Sequence, residues 1–596
     1  MADTTTNMTS LELGAIGNGT VSALIDEYGC LVWFCLPRLD GTPVFNSLLG
    51  GPGAFSVRLT DQVKATQNYV HNTAIIETVL EAEDGSAVKI TDFAPRFVDR
   101  GRRFRPASVV RQIEPLRGMP RITIGLTAST ESGSAEMPKK RGVSHIRFLD
   151  EDAGFRVTTD APISYIMDQR EFVLGERISF LLGPDETLSD SVDVMAETWR
   201  QRTQIHWQDW SRRLATPAEW QDAVIRAAIT LKLCVYDETG GIVAALTTSI
   251  PEHDGSERNW DYRFCWLRDA YFTVGALNRL SAVGTLEGYL TFLRNTVAHT
   301  QGGHIQPVFG VALEQDLTES IAEHLPGYRG MGPVRFGNQA AEHVQHDVYG
   351  HVVLGASQAF FDRRLQSSAG PIEFEHFEQV GERAYAIYNT PDAGIWEYRG
   401  RASVHTSSAI MCWAACDRLG KIAEHLGKSD RASLWQQRAE EMRGIILEAA
   451  WNEGRQAFTG AFGGEALDAS VLLMAEIGFI EPMDPRYVAT VDRVDEELRE
   501  GYHVFRYRAA DDFGTPETAF TACTFWHIDA LSRIGRMEEA REMFEEVLAH
   551  RNRLGLLSED IDTRTGELWG NFPQTYSMAG IINAAARLSR PWEDIV

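Results

Sequence analysis

Hydrophobic and polar positions alternate along the first third of the chain. The segments 74–80 and 87–90 alternate in this way on either side of Asp84-Gly85, a pair typical of a tight turn because glycine accepts a positive φ. Similar short runs, separated by turn residues, recur at 121–127 and 178–182. This spacing predicts an antiparallel β-sandwich over residues 1–192.

The pattern then changes to a helical period. Between residues 193 and 215 three tryptophans stand among polar residues without alternation, which predicts a connecting helix. Apolar residues recur at helical spacing after Thr216, which with Glu219 forms a predicted capping box. About twelve such segments follow, beginning near Thr216, Trp266, Gly284, Ala341, Pro371, Val404, Ser429, Ala466, Asp484, Glu517, Met537 and Tyr576. Twelve helices fit six helical hairpins in a ring, so we predict an (α/α)6 barrel over residues 216–596.

Two long irregular stretches interrupt the helical pattern, at about 236–265 and 301–340. Both are longer than a structural connector needs to be, and long ordered loops usually carry function. We therefore expect the working residues of the protein to lie in or near these stretches.

Composition excludes several classes of function. A chain of 596 residues predicts two to four domains, and 44% hydrophobic residues with 14 tryptophans can bury large cores. The net charge of −26 argues against nucleic acid and against anionic membrane surfaces as partners. A neutral, polyhydroxylated small molecule is indifferent to this charge and suits an aromatic-rich site. We expect a partner of that class; the oligomeric state stays open.

The seven cysteines are odd in number and scattered, with neither a disulfide framework nor a zinc pattern. We therefore expect no metal and no other cofactor. The stretch 1–14 lacks the basic and apolar regions of a signal peptide, and no apolar run approaches the roughly 18 residues that span a bilayer. These features predict a soluble, cytoplasmic protein.

The stretch 259–269, Asn-Trp-Asp-Tyr-Arg-Phe-Cys-Trp-Leu-Arg-Asp, is the densest in chemistry, with four aromatic and four charged residues. Aromatic faces suit the C–H surfaces of sugars, and an arginine beside an aspartate supplies fixed donors and acceptors for hydroxyl groups. A buried ion pair beneath an aromatic lid is the structural alternative. The candidate binding residues of this stretch are Trp260, Tyr262, Arg268 and Asp269.

Two glutamates are candidates for acid–base chemistry. Glu397 follows Trp396 in a predicted loop, and an apolar neighbour disfavours the ionised form of a carboxyl group, as a general acid requires. Glu517 precedes a predicted helix, whose N-terminal dipole favours the ionised form. The alternatives are a surface glutamate and a helix-start glutamate. Loops at one end of a helical ring could bring the two together, and such a pair is what a glycosidase uses.

The chain resembles glycoside hydrolase family 15, the bacterial glucoamylases, trehalases and their relatives. The motifs that carry the resemblance extend over essentially the whole chain: Ile-Gly-Asn-Gly at 16–19, Trp-Phe-Cys-Leu-Pro-Arg at 33–38, Asn-Trp-Asp-Tyr-Arg at 259–263, Trp-Leu-Arg-Asp at 266–269, Gly-Ile-Trp-Glu at 394–397, Gly-Leu-Leu-Ser-Glu at 555–559 and Gly-Asn-Phe-Pro-Gln at 570–574. The resemblance implies an N-terminal β-sandwich, a linker helix and an (α/α)6 catalytic barrel.

The resemblance also implies roles for individual residues. Glu397 falls on the general acid, and Glu517 on the general base through a Glu-x-x-Phe pattern that ends at Phe520. The sugar-binding and pocket positions fall on Tyr262, Arg268, Asp269, Trp396, Arg335 and Asp347. Pro-Glu-Thr-Ala at 516–519, His346 and the segment 305–310 depart from the family pattern, which leaves the preferred substrate open.

The activity implied is inverting hydrolysis of an α-glucosidic bond at a non-reducing end, with release of β-glucose. We expect α,α-trehalose as the substrate, because intracellular members with this full-length layout include trehalases. Glucoamylase-type cleavage of maltose, isomaltose or maltooligosaccharides is the close alternative. A disaccharide phosphorylase would need one acid and a phosphate pocket, and a non-catalytic sugar-binding protein would lack one of the carboxylates.

Overall fold

The computed structural model describes residues 9–130, 133, 135–151, 153–300 and 303–595. Residues 1–8, on which part of the expectation about a signal peptide rests, lie outside the described residues. So do residues 301–302 of the irregular stretch predicted at 301–340.

Two antiparallel sheets make up the N-terminal part of the protein. Their strands, with one separate hairpin, are β1 (Gly14–Gly17), β2 (Ser22–Ile25), β3 (Leu31–Leu36), β4 (Thr42–Phe45), β5 (Ala54–Leu59), β6 (Gln62–Tyr69), β7 (Ile76–Ala82), β8 (Ala87–Phe93), β9 (Phe97–Asp99), β10 (Arg102–Phe104), β11 (Val109–Arg117), β12 (Arg121–Thr127), β13 (Lys139–Arg141), β14 (His145–Phe148), β15 (Phe155–Thr159), β16 (Phe172–Val173) and β17 (Ile178–Gly183). One sheet runs β1-β2-β3-β5-β12-β16 with β4 on β3, and the other runs β13-β14-β15-β17-β11-β8-β7-β6. The predicted hairpin at Asp84-Gly85 is confirmed, because β7 pairs with β8 and Gly85 has a φ of 81°.

The sheets face each other across an apolar core, as alternating strands require. Phe55 on one sheet meets Phe180 on the other edge to face, with ring centroids 5.1 Å apart. Arg111 is a fully buried charge in this sandwich. It pairs with Asp92 on its own sheet at 2.7 Å and donates to the carbonyl of Phe55 on the facing sheet at 2.8 Å. This arginine therefore ties the two layers together.

The sandwich also carries a short helix α1 (Ile163–Met167), and helix α2 (Val192–Ser211) connects it to the rest. The tryptophans of α2 pack against both the sandwich and the helical part. Trp199 packs against apolar residues of the second sheet, whereas Trp207 is buried in the core of the helical part. The predicted connecting helix is confirmed, while the domain boundaries at residues 192 and 215 stay predictions.

Among the described residues, twelve α-helices follow residue 216: α3 (Gln221–Leu233), α4 (Leu267–Arg279), α5 (Val283–Thr300), α6 (Asp347–Phe361), α7 (Pro371–Ile387), α8 (Thr406–His425), α9 (Ser429–Ala450), α10 (Leu473–Glu476), α11 (Pro485–Leu498), α12 (Thr521–Arg533), α13 (Met537–Ala549) and α14 (Thr575–Leu588). The capping box predicted at Thr216 is wrong, since α3 begins only at Gln221. Glu219 instead binds Arg541 at 2.8 Å and accepts a hydrogen bond from the backbone N–H of Arg590 at 2.7 Å.

These helices form two concentric rings. The inner helices contact one another in the order α4, α6, α8, α10, α12 and α14, with a 3-10 turn at Ala469–Leu472 joining α8 to α10, and α14 returns to α4. The others pack outside this circle. Burial follows the same division, because α8 buries 15 of its 20 residues, whereas α9 buries six of 22 along one stripe. The inner helices therefore close into a ring with the other helices outside it, which is the arrangement predicted from the helix count.

Short antiparallel pairs shape the loops between the helices. They are β18 (Cys265–Trp266) with β19 (Val308–Phe309), β20 (Ser320–Ile321) with β21 (Arg335–Phe336), β22 (Trp451–Asn452) with β23 (Ala457–Phe458), β24 (Arg499–Glu500) with β25 (His503–Val504), and the three-stranded β26 (Ala519–Phe520), β27 (Asp560–Ile561) and β28 (Leu568–Trp569). The chain is thus an antiparallel β-sheet domain followed by a mostly helical domain, as predicted. Within the described part of the chain, none of the helices has the length and apolar character that crossing a bilayer demands.

Candidate active site

A cavity of about 900 Å3, its open mouth included, lies at the end of the ring where the inner helices begin. Its walls are aromatic and charged rather than aliphatic, a combination that suits a hydroxyl-rich ligand. Both irregular stretches predicted to be functional contribute to these walls. Six of the residues predicted for the site line it directly: Trp260, Tyr262, Arg268, Asp269, Trp396 and Glu397.

Helix α4 brings two of these residues to the cavity floor in its first turn. Arg268 and Asp269 are adjacent there, with 3.4 Å between Arg268 Nε and Asp269 Oδ2. Burial raises the pKa of the Asp269 carboxyl to about 6, against the opposing effect of Arg268. Asp269 Oδ2 has no hydrogen-bond donor among the described residues, although it is buried. Asp269 nevertheless lines the cavity, so its carboxylate is a candidate acceptor for a ligand hydroxyl.

Glu397 projects into the cavity from the loop before α8. Its Oε1 accepts a hydrogen bond from the indole Nε1–H of Trp266 at 2.6 Å and another from Arg268 at 3.3 Å. The tryptophan that contacts the carboxylate is therefore Trp266, not its sequence neighbour. Trp396 lines the cavity too, but its indole donates to Asp468 at 2.8 Å. The backbone of Glu397 is left-handed, with a φ of 61°, a strained conformation of the kind found at functional sites.

Arg268 is the central cation of the charged residues at the cavity floor. Besides Asp269 it faces Glu397 at 3.3 Å and Asp347 at 3.7 Å. Burial opposes the charge of Arg268, but the three carboxylates outweigh burial and raise its pKa. Asp347 does not line the cavity; it is buried behind Arg268 and also faces His351 at 3.3 Å. Asp347 thus supports the floor from behind.

Arg335 also lies behind the wall and not in it. Its guanidinium is 4.9 Å from the ring centroid of Trp260 and 3.3 Å from Glu319. It donates to the backbone carbonyls of Glu257 and Asn259. Of the residues predicted to bind substrate, Arg335 and Asp347 are therefore placed to position other groups.

Glu517 is not brought into the cavity. Its side chain is 63% exposed and its nearest charged neighbour is His253, 3.9 Å away. The short strand β26 pairs Phe520 with Asp560, and just before it the side chain of Glu517 is exposed between the buried residues Pro516 and Thr518. The structure thus does not bring Glu517 and Glu397 together in one cavity.

Another glutamate, which does not line the cavity itself, lies directly behind the cavity residue Tyr262. Glu559 is 1% exposed and accepts a hydrogen bond of 2.6 Å from the hydroxyl of Tyr262. It closes the Gly-Leu-Leu-Ser-Glu motif at 555–559, so the motif itself was a signal. Its burial, which distinguishes it from Glu517, depends on strands far apart in sequence.

Two aromatic side chains join the carboxylates of Glu559 and Glu397. Tyr262 donates to Glu559, its ring meets the ring of Trp266 edge to face at 5.4 Å, and Trp266 donates to Glu397. Burial raises the pKa of the Tyr262 hydroxyl, as do Glu559 and Glu397. The hydroxyl therefore stays protonated and acts as a donor. The carboxylate of Glu397 thus lies in the cavity wall and that of Glu559 lies behind Tyr262, each with a fixed donor.

Glu559 belongs to a buried acidic cluster with Glu252 and Asp560, opposite Arg506 and Arg258. Burial, and then Glu252, raise the pKa of Glu559 to about 8. Burial and both glutamates raise the pKa of Asp560 well above its usual range. Three buried carboxylates that face two arginines disfavour full ionisation of the cluster.

Comparison with known proteins matches one family model to each part of the chain. The model of "Glycosyl hydrolases family 15" matches residues 219–586, and the model "Trehalase-like, N-terminal" matches residues 5–136. Among curated proteins, the chain is 30% identical to "Trehalase" of Thermoplasma volcanium (96% of this chain, 93% of the relative). It is also 30% identical to "Trehalase" of Mycolicibacterium smegmatis (98% and 92%) and of Mycobacterium tuberculosis (96% and 88%).

Among solved structures, a bacterial glucoamylase complexed with acarbose superposes with a TM-score of 0.68. The match covers 97% of this chain and 93% of that chain at 12% identity. At this identity the likeness shows the fold alone, and it extends across both the sandwich and the helical ring.

Proposed function

The chain belongs to glycosyl hydrolases family 15 and is a glycoside hydrolase, and from this premise we propose that it is an inverting α,α-trehalase. In this proposal it cleaves the α-glucosidic bond at a non-reducing glucose and releases that glucose as the β-anomer. The trehalase names of relatives that match it over nearly their full length support the choice of substrate. The observation that carries the proposal is the pair of carboxylates, Glu397 in the cavity wall and Glu559 behind it, that are joined through Tyr262 and Trp266.

Glu397 is the proposed general acid, which protonates the departing glycosidic oxygen. Once the proton has left, its carboxylate needs stabilisation within a partly buried cavity. The indole of Trp266 and the guanidinium of Arg268 already donate to Glu397 Oε1 and supply it. The strained backbone fixes the carboxyl group at this point of the wall.

Glu559, in place of the predicted Glu517, is the proposed general base. It accepts a proton from a water molecule on the opposite face of the sugar, which completes an inverting displacement. The hydrogen bond from Tyr262 orients its carboxylate and favours the ionised form. In inverting enzymes the two carboxyl groups stand roughly 6.5–9.5 Å apart to leave room for this water. A chain of two aromatic side chains between them is compatible with such a gap.

The floor of the cavity is the proposed site of the non-reducing glucose. Arg268 donates to its hydroxyls, and the unpartnered oxygen of Asp269 accepts from one of them. Tyr262, Trp396 and Trp260 supply the aromatic walls. Asp347 and Arg335 act from behind, by fixing Arg268 and Trp260.

Stereochemistry and substrate are tested together by following initial hydrolysis with proton NMR. The substrates are trehalose, maltose, isomaltose and soluble starch, each with and without inorganic phosphate. Inverting cleavage of α,α-trehalose gives α- and β-glucose in equal initial amounts, because only one of the two anomeric centres is displaced. Two equivalents of α-glucose contradict inversion, faster cleavage of maltose or starch contradicts the choice of substrate, and glucose 1-phosphate contradicts hydrolysis.

We also place the protein in the cytoplasm, as part of the same proposal. All seven cysteines are free thiols, and six of them are buried. Free thiols at this number are usual in a reducing compartment. Fractionation of the host cell with an antibody against the chain tests the location.

A further inference from the structure

The mouth of the cavity is formed by loops that ion pairs join into a closed circle. One half of the circle runs through Glu319. Its carboxylate accepts two hydrogen bonds from the guanidinium of Arg399, at 2.8 and 3.1 Å, and lies 3.3 Å from Arg335 Nε. Arg335 in turn donates to the carbonyl of Asn259 at 2.9 Å. The loop after Glu397 is thereby tied to the loop before Trp260.

The other half of the circle runs through the loop 511–514. Arg258 donates to Asp511 Oδ2 at 2.7 Å. Asp512 accepts from the backbone N–H groups of Arg399 and Gly400, at 2.7 and 3.1 Å. Arg258 and Asn259 are chain neighbours, so the circle closes. We call these six charged residues, Arg258, Glu319, Arg335, Arg399, Asp511 and Asp512, the mouth belt.

One accessible aromatic ring lies inside the mouth belt. Phe513 lines the cavity and is 37% exposed, unlike the other aromatic residues of the wall. Its edge meets the ring of Trp260 at 5.0 Å. The ring of Trp260 lies close under two guanidinium groups, Arg399 at 4.4 Å and Arg335 at 4.9 Å. Two guanidinium groups also face the ring of Phe513, but at 5.6 and 5.7 Å, and this ring keeps the larger exposed surface at the mouth. Trp260 serves as its support.

Glu397 contacts both parts of the cavity. It faces Arg268 on the floor, where the side chains of Arg268 and Asp269 are 13% and 7% exposed. Two residues later on the same loop comes Arg399 of the mouth belt, which is 22% exposed. A proton donor must stand next to the bond that it breaks, so a sugar held on the floor leaves its partner at the mouth.

We propose that Arg399 and Phe513 bind the leaving sugar and make the discrimination between disaccharide substrates. This inference rests on the proposed function. The ring of Phe513 packs on the C–H face of the leaving glucose. Arg399 uses two of its five N–H groups on Glu319, and the rest remain to donate to hydroxyls. The mouth belt fixes both groups relative to the acid.

The test compares a disaccharide with α-glucosyl fluoride, which has the same glucose but no leaving sugar. The variants are Phe513→Ala and Arg399→Ala, with Phe513→Leu and Arg399→Lys as milder forms. In each alanine variant kcat/KM for trehalose falls roughly 10- to 100-fold, which is about 1.4 to 2.8 kcal/mol. For α-glucosyl fluoride, kcat/KM of each variant stays within about threefold of that of the unsubstituted protein.

Arg401→Ala is the matched control. Arg401 lies on the same loop and is 3.9 Å from Asp512, but it does not line the cavity. We expect Arg401→Ala to leave kcat/KM for trehalose and for α-glucosyl fluoride within about twofold of the unsubstituted protein. Thermal unfolding of each variant shows whether the loops are retained.

An equal fall of kcat/KM for trehalose and for α-glucosyl fluoride overturns the inference. It would mean that Arg399 and Phe513 bind the glucose on the floor, or that they only stabilise the fold. Unchanged turnover of trehalose overturns it as well. If the unsubstituted protein cleaves maltose and not trehalose, the proposed function fails. The comparison of maltose with the fluoride then still decides whether these two residues bind the leaving sugar.

Discussion

Tyr262 has a special position among the residues of the cavity, because it contacts the machinery of both proposed catalytic groups. Its hydroxyl donates to Glu559, and its ring packs on Trp266, which holds Glu397. A displacement of this one side chain would disturb base and acid together. The charged groups nearest to the hydroxyl are carboxylates, so the hydroxyl acts as a hydrogen-bond donor, and it donates to Glu559.

Removal of the Tyr262 hydroxyl should act first on the base. The hydrogen bond from Tyr262 lowers the pKa of Glu559, so Tyr262→Phe raises that pKa. We expect the acid limb of the kcat/KM profile to move to higher pH and kcat/KM at pH 6 to fall roughly tenfold. A pH–rate series measures both. An unchanged acid limb with the same unfolding temperature would show that Glu559 is not the titrating base.

The two candidate bases can be separated directly. Glu559→Gln removes the proposed proton acceptor and should lower kcat by about 1,000-fold or more. Glu517→Gln changes a side chain that is 63% exposed and should leave kcat within about twofold. Steady-state kinetics on trehalose measures both variants, and circular dichroism checks their folding. The opposite result would restore Glu517 as the base.

Sequence could not separate these two glutamates, for a physical reason. Both glutamates closely precede a short strand of the same three-stranded sheet. What distinguishes them is burial, which depends on how β26 and β27 pair across a separation of about forty residues. Arg268, Asp269 and Glu397 were predictable, because motif and local helix start place them together.

At the scale of elements, the pairing of β26 with β27 puts Asp560 in the core beside Glu559. Asp560 is 2% exposed, and its Oδ1 accepts from the hydroxyl of Thr518 at 3.1 Å. Its Oδ2 has no hydrogen-bond donor among the residues that the structure describes. A neutral side chain fits this place better than a charged one.

Asp560→Asn should therefore raise stability at neutral pH. The folded-state pKa of Asp560 lies above its ordinary value, because burial and the two glutamates raise it. The unfolded chain ionises near pH 4 while the folded chain holds the proton, so Asp560 costs stability above that pH and none below it. We expect an unfolding temperature a few degrees higher at pH 7 and equal at pH 3.5, by calorimetry.

Activity provides the second readout for this variant. Asparagine copies the protonated form of Asp560, so kcat at pH 7 should stay within about threefold. A loss as large as that of Glu559→Gln would show that Asp560 is the ionised member of the cluster.

Helix starts were largely predictable from periodicity. The predicted starts at Pro371, Ser429 and Met537 coincide with those of α7, α9 and α13. The start at Thr216 failed because tertiary contacts outweighed a local signal. Glu219 has Arg541 as a partner from a distant helix, and this ion pair competes with the capping role.

At the scale of the whole molecule, the sandwich supports the cavity through Arg263. This buried guanidinium pairs with Asp261 at 2.7 Å and donates to the carbonyl of Gly41 in the sandwich at the same distance. It also lies 5.8 Å from the ring of Trp33. The loop that carries Trp260 and Tyr262 is therefore fastened to the other domain.

Arg263→Ala should destabilise the protein and impair catalysis together. It leaves Asp261 buried without its charged partner, which costs about 3–5 kcal/mol. We expect a clear fall in unfolding temperature, and a fall in kcat that glycerol or low temperature restores only in part. Arg364→Ala is the control, since Arg364 is 46% exposed and pairs with Asp362 in its own loop. That exposed pair contributes only about 0–1 kcal/mol.

The order of sandwich, connecting helix and helical domain was predictable, because each part has its own hydrophobic period. The closure of the ring rests on the contact of α14 with α4, some 300 residues apart in the chain, and no local pattern encodes it. The attachment of Arg263 to Gly41 is equally non-local. Such contacts limit what sequence alone predicts about the site.

The left-handed backbone of Glu397 bears on how the chain has been selected. A φ of 61° costs a residue with a Cβ about 1–2 kcal/mol, and glycine escapes that cost. Both Glu397→Gly and Glu397→Ala should be inactive, yet the glycine variant should unfold at the higher temperature, the reverse of the usual order. Equal unfolding temperatures in a thermal scan would contradict this. At position 397 natural selection has then retained a side chain for its chemistry where a simpler residue would make the more durable protein.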